Sequence, residues 1–351
     1  MRLRLLFYNT FLLRILELPG RDGPRPVGGA PVPAVRAAEI ARRVAGSYDV
    51  AAFAEVFDGR ERRTLLRTWE EVSPGPVTAA SGSPGLGPFK SSGLYTIVDG
   101  LRVRRVASKT FRSRGLPWRD SDSYANKGVL LVEVDPGLGS GAIEIYSTHL
   151  IYGNDLIRRP GHPYVACWPV RERQLIELVA FVEAQHRPEN VMILVGDMNT
   201  PASTPLVDPP DRLYRRMMQF LGRLGFEDRW PIDGRGEGFT SGLDREHADT
   251  VGRADPEDER FVYDDPPVTD EETPQGLPRE LPPEAGERID YFFLQAPCAD
   301  HRIRVRPVAF RRRSFPREPG AVGYSRLRYC SDHLALHVEL EVEGAGGRGR
   351  A

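Results

Sequence analysis

The chain has 351 residues and a formal net charge of -1. It is longer than a typical single hydrophobic core, and it lacks the global basic field that steers a sequence-indifferent nucleic-acid binder onto a phosphate polymer. Its three cysteines, Cys167, Cys298 and Cys330, are far apart and show no Cys-x-x-Cys or Cys/His spacing, which argues against a zinc site or a disulfide framework.

The N-terminus is basic and then apolar, but Asn9, Thr10 and Arg14 break the apolar run and no small-residue cleavage site follows promptly. Residues 2–8 therefore read as a first β-strand of a cytoplasmic protein. No apolar run reaches the ~18 residues that span a bilayer. A Pro- and Gly-rich loop at 19–33 precedes a helix at 34–47, whose apolar positions are Val35, Ala38, Ile40, Ala41 and Val44. A strand at 49–54 then delivers Glu55.

Residues 73–92, dominated by Pro, Gly and Ser, read as a surface loop, and strands are expected at 93–98, 103–107, 128–134 and 142–147. An amphipathic helix at 170–185 leads into the apolar strand 191–195. A helix at 213–224 and strands at 289–294, 302–310 and 334–342 complete the pattern. Residues 344–351 are too rich in Gly and Arg to fold and read as a disordered tail.

Two segments are biased in charge. Residues 244–287 hold fifteen Asp or Glu against four Arg, with many prolines, and read as a solvated insertion. Residues 301–317 hold seven Arg and no acid. The two blocks either pair with each other or form solvated faces of one sheet edge.

Five polar motifs punctuate the strand ends: Asn9, Glu55, Ser147-Thr148-His149, Gly196-Asp197-Met198-Asn199 and Ser331-Asp332-His333. Strand ends are where a sheet scaffold points side chains from distant parts of the chain into one cleft. Asp197 and Asn199, spaced i and i+2, would point the same way in extended backbone and suit a hard cation, a water or a phosphoryl oxygen; the alternative is an Asx turn. Asn9 and Glu55 offer an amide oxygen and a carboxylate for a hard metal. Asp332 and Asp290 are both placed to fix the His333 tautomer, and sequence leaves the choice between them open. With no Gly-x-Ser-x-Gly elbow, P-loop or Gly-x-Gly-x-x-Gly after a strand, acyl transfer, nucleotide-triphosphate use and dinucleotide binding lose support.

This ordered set resembles the endonuclease/exonuclease/phosphatase superfamily. Within it, Tyr8-Asn9-Thr10-Phe11-Leu12-Leu13, Ser92-Gly93-Leu94, Asn126-Lys127-Gly128-Val129-Leu130 and Arg171-x-x-Gln174-Leu175 look like the neutral sphingomyelinase branch. The resemblance implies an α/β fold, a DNase I-like four-layer sandwich of two packed mixed β-sheets flanked by helices, over a single catalytic domain spanning 1–343. It implies a Mg²⁺-dependent phosphodiesterase, with Mn²⁺ or another divalent cation as alternatives. Carried over by residue, Glu55 would be the main metal ligand and Asn9 a ligand or phosphate contact. His149 would stabilise phosphoryl oxygens, and Asp197 and Asn199 would position water and phosphate. Asp290 would orient His333 as general base, Asp332 would support the metal or that histidine, and Lys127 would neutralise phosphate.

Three features depart from that pattern: Ala54 stands where the family usually has Gln, Met198 where it has Phe, and Leu150-Ile151-Tyr152-Gly153 differs from the usual sphingomyelinase continuation. No exposed aromatic hairpin suited to membrane insertion is evident either. The expected substrate is a phosphodiester, a phospholipid head group or a small molecule. Nucleic acid and inositol phosphates are the alternative substrates, and a non-catalytic binding protein on the same fold ranks last.

Overall fold

The computed structural model describes residues 1–12, 17–18, 25–26, 33–85, 90–116, 120–139, 141–153, 162–233, 240–241, 287–313, 315, 317 and 330–345. The chain opens with β1 (Arg2–Leu12), a short pair β2 (Glu17–Leu18) and β3 (Arg25–Pro26), α1 (Pro33–Val44), β4 (Val50–Val56) and α2 (Gly59–Val72). Next come β5 (Val77–Ser81), β6 (Tyr95–Asp99), β7 (Arg102–Thr110), a 3-10 turn at Ser121–Tyr124, β8 (Gly128–Asp135) and β9 (Ile143–His149). After α3 (Pro163–Ala166) and α4 (Trp168–Gln185) follow β10 (Val191–Asp197), α5 (Arg212–Leu221), β11 (Phe226–Asp228) and α6 (Trp230–Asp233). The last strands are β12 (Asp290–Gln295), β13 (Ile303–Arg313) and β14 (Ala335–Gly344).

Two six-stranded sheets carry the fold, in the orders β13-β14-β1-β4-β6-β5 and β11-β12-β10-β9-β8-β7. Both are mixed: β1 pairs parallel with β4 and antiparallel with β14, while β10 pairs parallel with β9 and antiparallel with β12. Strand side chains alternate between faces, and both faces here are apolar. Leu5, Phe7, Val50, Ala52, Ile143, Ile145, Ile193, Val195, Phe292 and Leu336 fill the space between the sheets. Leu6, Tyr8, Ala51 and Phe53 face outward onto α1 and α2, against Ile40, Val44, Leu65 and Trp69. On the second sheet Leu131, Tyr146 and Leu194 face Leu175, Leu178, Val182 and Phe220 of α4 and α5. Helix, sheet, sheet, helix is a four-layer α/β sandwich. Burying each large apolar side chain in these layers contributes about 1.5–3 kcal/mol.

Several boundaries differ from the sequence expectation. The loop expected at 73–92 contains β5, whose Ala80 and neighbours pair with β6. α2 was not foreseen, because its charged run Arg60-Glu61-Arg62-Arg63 masks the Leu65 and Trp69 stripe. In α1 the buried face is Arg36, Ala37, Ile40, Ala41 and Val44, while Val35 is exposed. β1 runs on to Leu12 and β14 on to Gly344, so the expected tail begins inside a strand. The acidic insertion expected at 244–287 lies outside the described residues except for Glu287, as does the tail beyond Ala345. In the Arg-rich block, Arg306 pairs with Glu341 of β14 and Arg317 with Glu39 of α1.

Candidate active site

Register assembles the site before any side chain is considered. Asp197 at the end of β10 is paired with His149 at the end of β9 and with Asp290 at the start of β12, so three polar residues form one row across the second sheet. Each continues an inward-facing apolar stripe: Ile143 and Ile145 before His149, Ile193 and Val195 before Asp197, Phe292 and Leu294 after Asp290. On the first sheet, Leu3, Leu5 and Phe7 lead by the same alternation to Asn9.

Glu55 breaks the alternation. Ala54 faces inward and Val56 outward, and Glu55 between them takes a left-handed φ of 61°. Opposite it the pairing jumps from Asn9↔Ala54 to Leu12↔Val56, a two-against-one bulge in which Phe11 is also left-handed, at φ 48°. Bulges re-aim side chains at strand ends. A non-glycine residue in that region costs about 1–2 kcal/mol, so the surroundings must hold it there. Gly93 helps: at φ +74°, a Cβ there would lie 2.8 Å from the Phe57 ring and 3.2 Å from Glu55 Cα, and its carbonyl accepts from Val56 N at 2.9 Å.

Asn9 Nδ2 lies 2.9 Å from Asp197 Oδ2, 3.4 Å from Glu55 Oε1 and 3.5 Å from His333 Nε2, so it links both sheets. Its Oδ1 accepts from Phe11 N at 3.2 Å. Asp197 Oδ1 accepts from Asn199 N at 2.9 Å, which is an Asx turn, while Oδ2 faces the cleft. The turn and the functional arrangement thus coexist. Asn199, left-handed at φ 46°, does not point alongside Asp197 as extended backbone would require, because its Nδ2 donates to Leu150 O at 2.9 Å.

His333 Nδ1 lies 2.8 Å from Asp290 Oδ2, and its Nε2 is 4.0 Å from Asp197 Oδ2. Of the two candidates, Asp290 therefore holds the imidazole. Asp332 instead has its Oδ1 3.2 Å from Ser331 Oγ, which donates to Asn9 O at 2.7 Å and accepts from His333 N at 3.2 Å. His149 Nε2 stands 3.4 Å from Asp197 Oδ2 and 3.9 Å from Glu55 Oε1. Lys127 Nζ lies 3.0 and 2.8 Å from the two ring nitrogens of His149 and 3.1 Å from Asp122 Oδ1. At 3 % exposure Lys127 is not a solvated strand-start lysine.

The two imidazoles are driven apart. Burial, then the charges of Lys127 and His333, holds His149 well below the usual histidine range, so it is neutral. Burial opposes the charge on His333 as well, but Asp290, by charge and hydrogen bond, with Asp332 and Asp197, raises it well above that range. Burial pushes Glu55 up to about 7, with Lys127 pulling the other way, and pushes Asp197 up to about 7, reinforced by Asp290. Divergent shifts of this kind cluster at functional sites.

The donor set fits a hard divalent cation. Glu55 Oε2 is buried with no hydrogen-bond partner, and the carboxylates of Asp332 and Asp122 add negative charge near it. Asp197, Asp290 and His333 also bring one ligand atom each within 4.8 Å of one another.

Two residues of the Arg171-x-x-Gln174-Leu175 motif have structural work. Gln174 accepts from Ile151 N at 3.0 Å and donates to Ser113 O at 2.9 Å, fixing the turn after His149. Arg171, fully buried, donates to the carbonyls of Asn199, Pro163 and Tyr164. Sequence reasoning missed Asp122, Arg36 and Arg62. An arginine inside an otherwise apolar helix face was the available signal for Arg36.

A family model described as the endonuclease/exonuclease/phosphatase family matches residues 27–333. The chain belongs to that family. A comparison with curated protein sequences returns no match. Among solved structures, this family member is similar to a beta toxin from Staphylococcus aureus at TM-score 0.60 and 17 % identity, covering 96 % of this chain and 99 % of that one. It is similar to sphingomyelinase C from Streptomyces griseocarneus at TM-score 0.56 and 18 % identity, covering 97 % and 99 %. It is also similar to D. rerio TDP2 complexed with a single-strand DNA product, at TM-score 0.55 and 14 % identity, covering 97 % and 99 %. At these identities the likeness shows the fold.

Proposed function

We propose that this family member is a Mg²⁺-dependent, sphingomyelinase-like phosphodiesterase in which His333 is the general base. The observation that carries the reading is the Asp290–His333 pair, held at 2.8 Å on one side of a cleft whose other side presents an unpartnered buried Glu55 oxygen. Glu55 would hold the cation, with Asn9 after a turn of its amide, and with Asp332 supporting from behind. The Asp197, Asp290 and His333 group fits that role less well, since Asp290 and His333 already bond each other. When bound, the cation supplies charge neutralisation to the phosphoryl oxygens.

The chain's own residues do the rest. Asp290 holds the Nδ1 proton, leaving His333 Nε2 to take the proton of the attacking water. Asp197 Oδ2, fixed by the Asx turn, orients that water. His149, neutral, donates to a phosphoryl oxygen, and Lys127 adds positive charge beside it. Similar structures include a sphingomyelinase C and a beta toxin with bound magnesium ions, which agree with this reading.

A nucleic-acid substrate is the second reading, supported by the TDP2 likeness and the Arg-rich strand β13. The Glu341 partner of Arg306 weighs against a free basic grip. One screen separates them: purified protein with Mg²⁺ against sphingomyelin, lysophospholipid, plasmid DNA and inositol phosphates, with His333→Ala as control. Turnover of a phospholipid that His333→Ala loses supports the first reading. Turnover of DNA with binding that falls steeply with salt replaces it with the second. If His333→Ala keeps substantial activity, the base assignment fails.

A further inference from the structure

Among the described residues only three non-glycines are left-handed, Phe11, Glu55 and Asn199, and all three belong to the candidate site. Each has a buried or half-buried arginine on its own carbonyl or on the next ones along. Arg36 Nη2 donates to Phe11 O, and its Nη1 to Thr10 O at 3.1 Å and to Cys330 O at 2.6 Å. Arg62 Nε donates to Val56 O at 3.0 Å, just past Glu55, while Nη2 reaches Phe57 O at 3.5 Å and Ser91 Oγ. Arg171 Nη1 donates to Asn199 O.

The three share one position in the fold. Arg36 is the fourth residue of α1, Arg62 the fourth of α2 and Arg171 the fourth of α4. Helical side chains lean toward the helix N-terminus, so an arginine there reaches back past the helix to the strand end that precedes it or packs beside it. The position is unfavourable in two ways. A cation in the first turn opposes the helix dipole, and burial strips its hydration. Burial lowers Arg36 and Arg171 each to about 10 and lowers Arg62 as well. Left-handed backbone at a non-glycine residue persists only where its surroundings over-determine it. The rigid guanidinium fork, which can hold two carbonyls at once, supplies that constraint.

We propose that Arg36, Arg62 and Arg171 are positioning residues for the reaction, pinning the three left-handed turns, just after Asn9, at Glu55 and just after Asp197, that hold the cleft-facing strand ends in place. Arg36 also ties the bulge of β1 to the segment carrying Ser331, Asp332 and His333, so it joins both ends of the chain at the site. The inference rests on the phosphodiesterase reading for its kinetic test and on the backbone alone for its structural one.

The experiment compares Arg171→Lys and Arg171→Met with wild type and with Leu178→Ala, a core variant of the same helix. Turnover of bis(4-nitrophenyl) phosphate with Mg²⁺ is measured beside thermal unfolding. Lysine keeps the charge and loses the fork, so both Arg171 variants should lose kcat by about 100-fold with KM nearly unchanged. Millimolar guanidinium should restore part of kcat to Arg171→Met. Leu178→Ala should lose Tm and keep kcat. If Arg171→Lys keeps wild-type kcat, or the Arg171 variants lose only Tm as Leu178→Ala does, the proposal is overturned. If wild type hydrolyses no phosphodiester, the functional reading fails separately. A crystal structure of Arg171→Met then decides the clamp: Asn199 relaxing to negative φ supports it, and Asn199 staying left-handed overturns it.

Discussion

Asp290 Oδ2 lies 2.8 Å from His333 Nδ1, and Asp290 is itself registered opposite Asp197, so one cross-strand pair ties the imidazole to the row of site residues. The negative charge of Asp290 both fixes the tautomer and holds His333 well above the usual histidine range, against the effect of burial. A base must be neutral to accept a proton. The kcat/KM of wild type should therefore rise with pH through an ionisation above 6.5. Asp290→Asn should move that limb to lower pH and reduce the plateau by about 100-fold or more. A pH–rate profile with unchanged midpoint in Asp290→Asn would remove Asp290 from this role.

Glu55 and Asp197 both bind their protons up to about 7, mainly because burial disfavours the charged forms. A cation at Glu55 must displace such a proton. Affinity for Mg²⁺ should then be near its maximum above pH 7 and weaken by about tenfold per unit as pH falls below it. Calorimetric titration at several pH values checks this, and a pH-independent affinity would exclude Glu55 as the ligand.

The same raised value carries a stability sign. For Glu55 the folded protein favours the protonated form, so the ionised group lowers stability above about pH 7, and the penalty fades as pH falls toward 4.5. Glu55→Gln removes it. In metal-free protein at pH 8 the variant should melt no lower than wild type, while losing Mg²⁺ affinity by about 100-fold. A large loss of Tm in Glu55→Gln would mean that the carboxylate serves packing instead.

Much of the site was legible because it obeys strand parity. Asn9, His149, Asp197 and Asp290 each extend an apolar inner stripe, so alternation alone places them in one cleft. Glu55 was found from its position at a strand end, yet parity alone would have sent it outward with Ala51 and Phe53. Only the left-handed turn at φ 61° corrects this, and no local residue pattern encodes that turn. The choice between Asp290 and Asp332 was equally closed to sequence, since both adjoin the histidine, one in space and one in chain. The Arg171 motif was visible and Arg36 stood out on an otherwise apolar helix face, whereas Arg62 was hidden in the run Arg60-Glu61-Arg62-Arg63. β5 was missed because Gly and Pro dominate its flanks and its own alternation is short, and α2 because charge covers its narrow apolar stripe.

Gly93 is where a single methyl group should test the aim of Glu55. Its φ of +74° disfavours any side chain, and a Cβ would meet Phe57 at 2.8 Å and Glu55 Cα at 3.2 Å. Gly93→Ala should cost about 1–3 kcal/mol of stability and lower activity together, because the displaced neighbour is the backbone of Glu55. The variant's Tm, Mg²⁺ affinity and kcat would be read side by side, and loss of Tm with full Mg²⁺ affinity would separate packing from aim.

Far from the site, Glu144 is fully buried on β9 and accepts from Tyr146 Oη at 2.9 Å, Asn190 Nδ2 at 3.0 Å and Arg187 N at 3.0 Å, with His186 Nδ1 at 2.9 Å. Burial works against its charge, but the bonds from His186, Asn190, Tyr146 and the Arg187 backbone outweigh it and depress its pKa. A carboxyl depressed in the folded state contributes stability above its unfolded value near 4.5, and that contribution is lost as pH falls through the folded value. Wild type should therefore lose Tm steeply below about pH 4.5, and Glu144→Gln should start from a lower Tm at pH 7 and show a shallower acid limb. Its kcat should match wild type, since Glu144 sits at the start of β9 and His149 at its end. An acid limb of the same steepness in Glu144→Gln would assign the acid sensitivity to other carboxylates, with the Glu133 and Arg105 pair, bonded at 2.9 Å beside it, the next to replace.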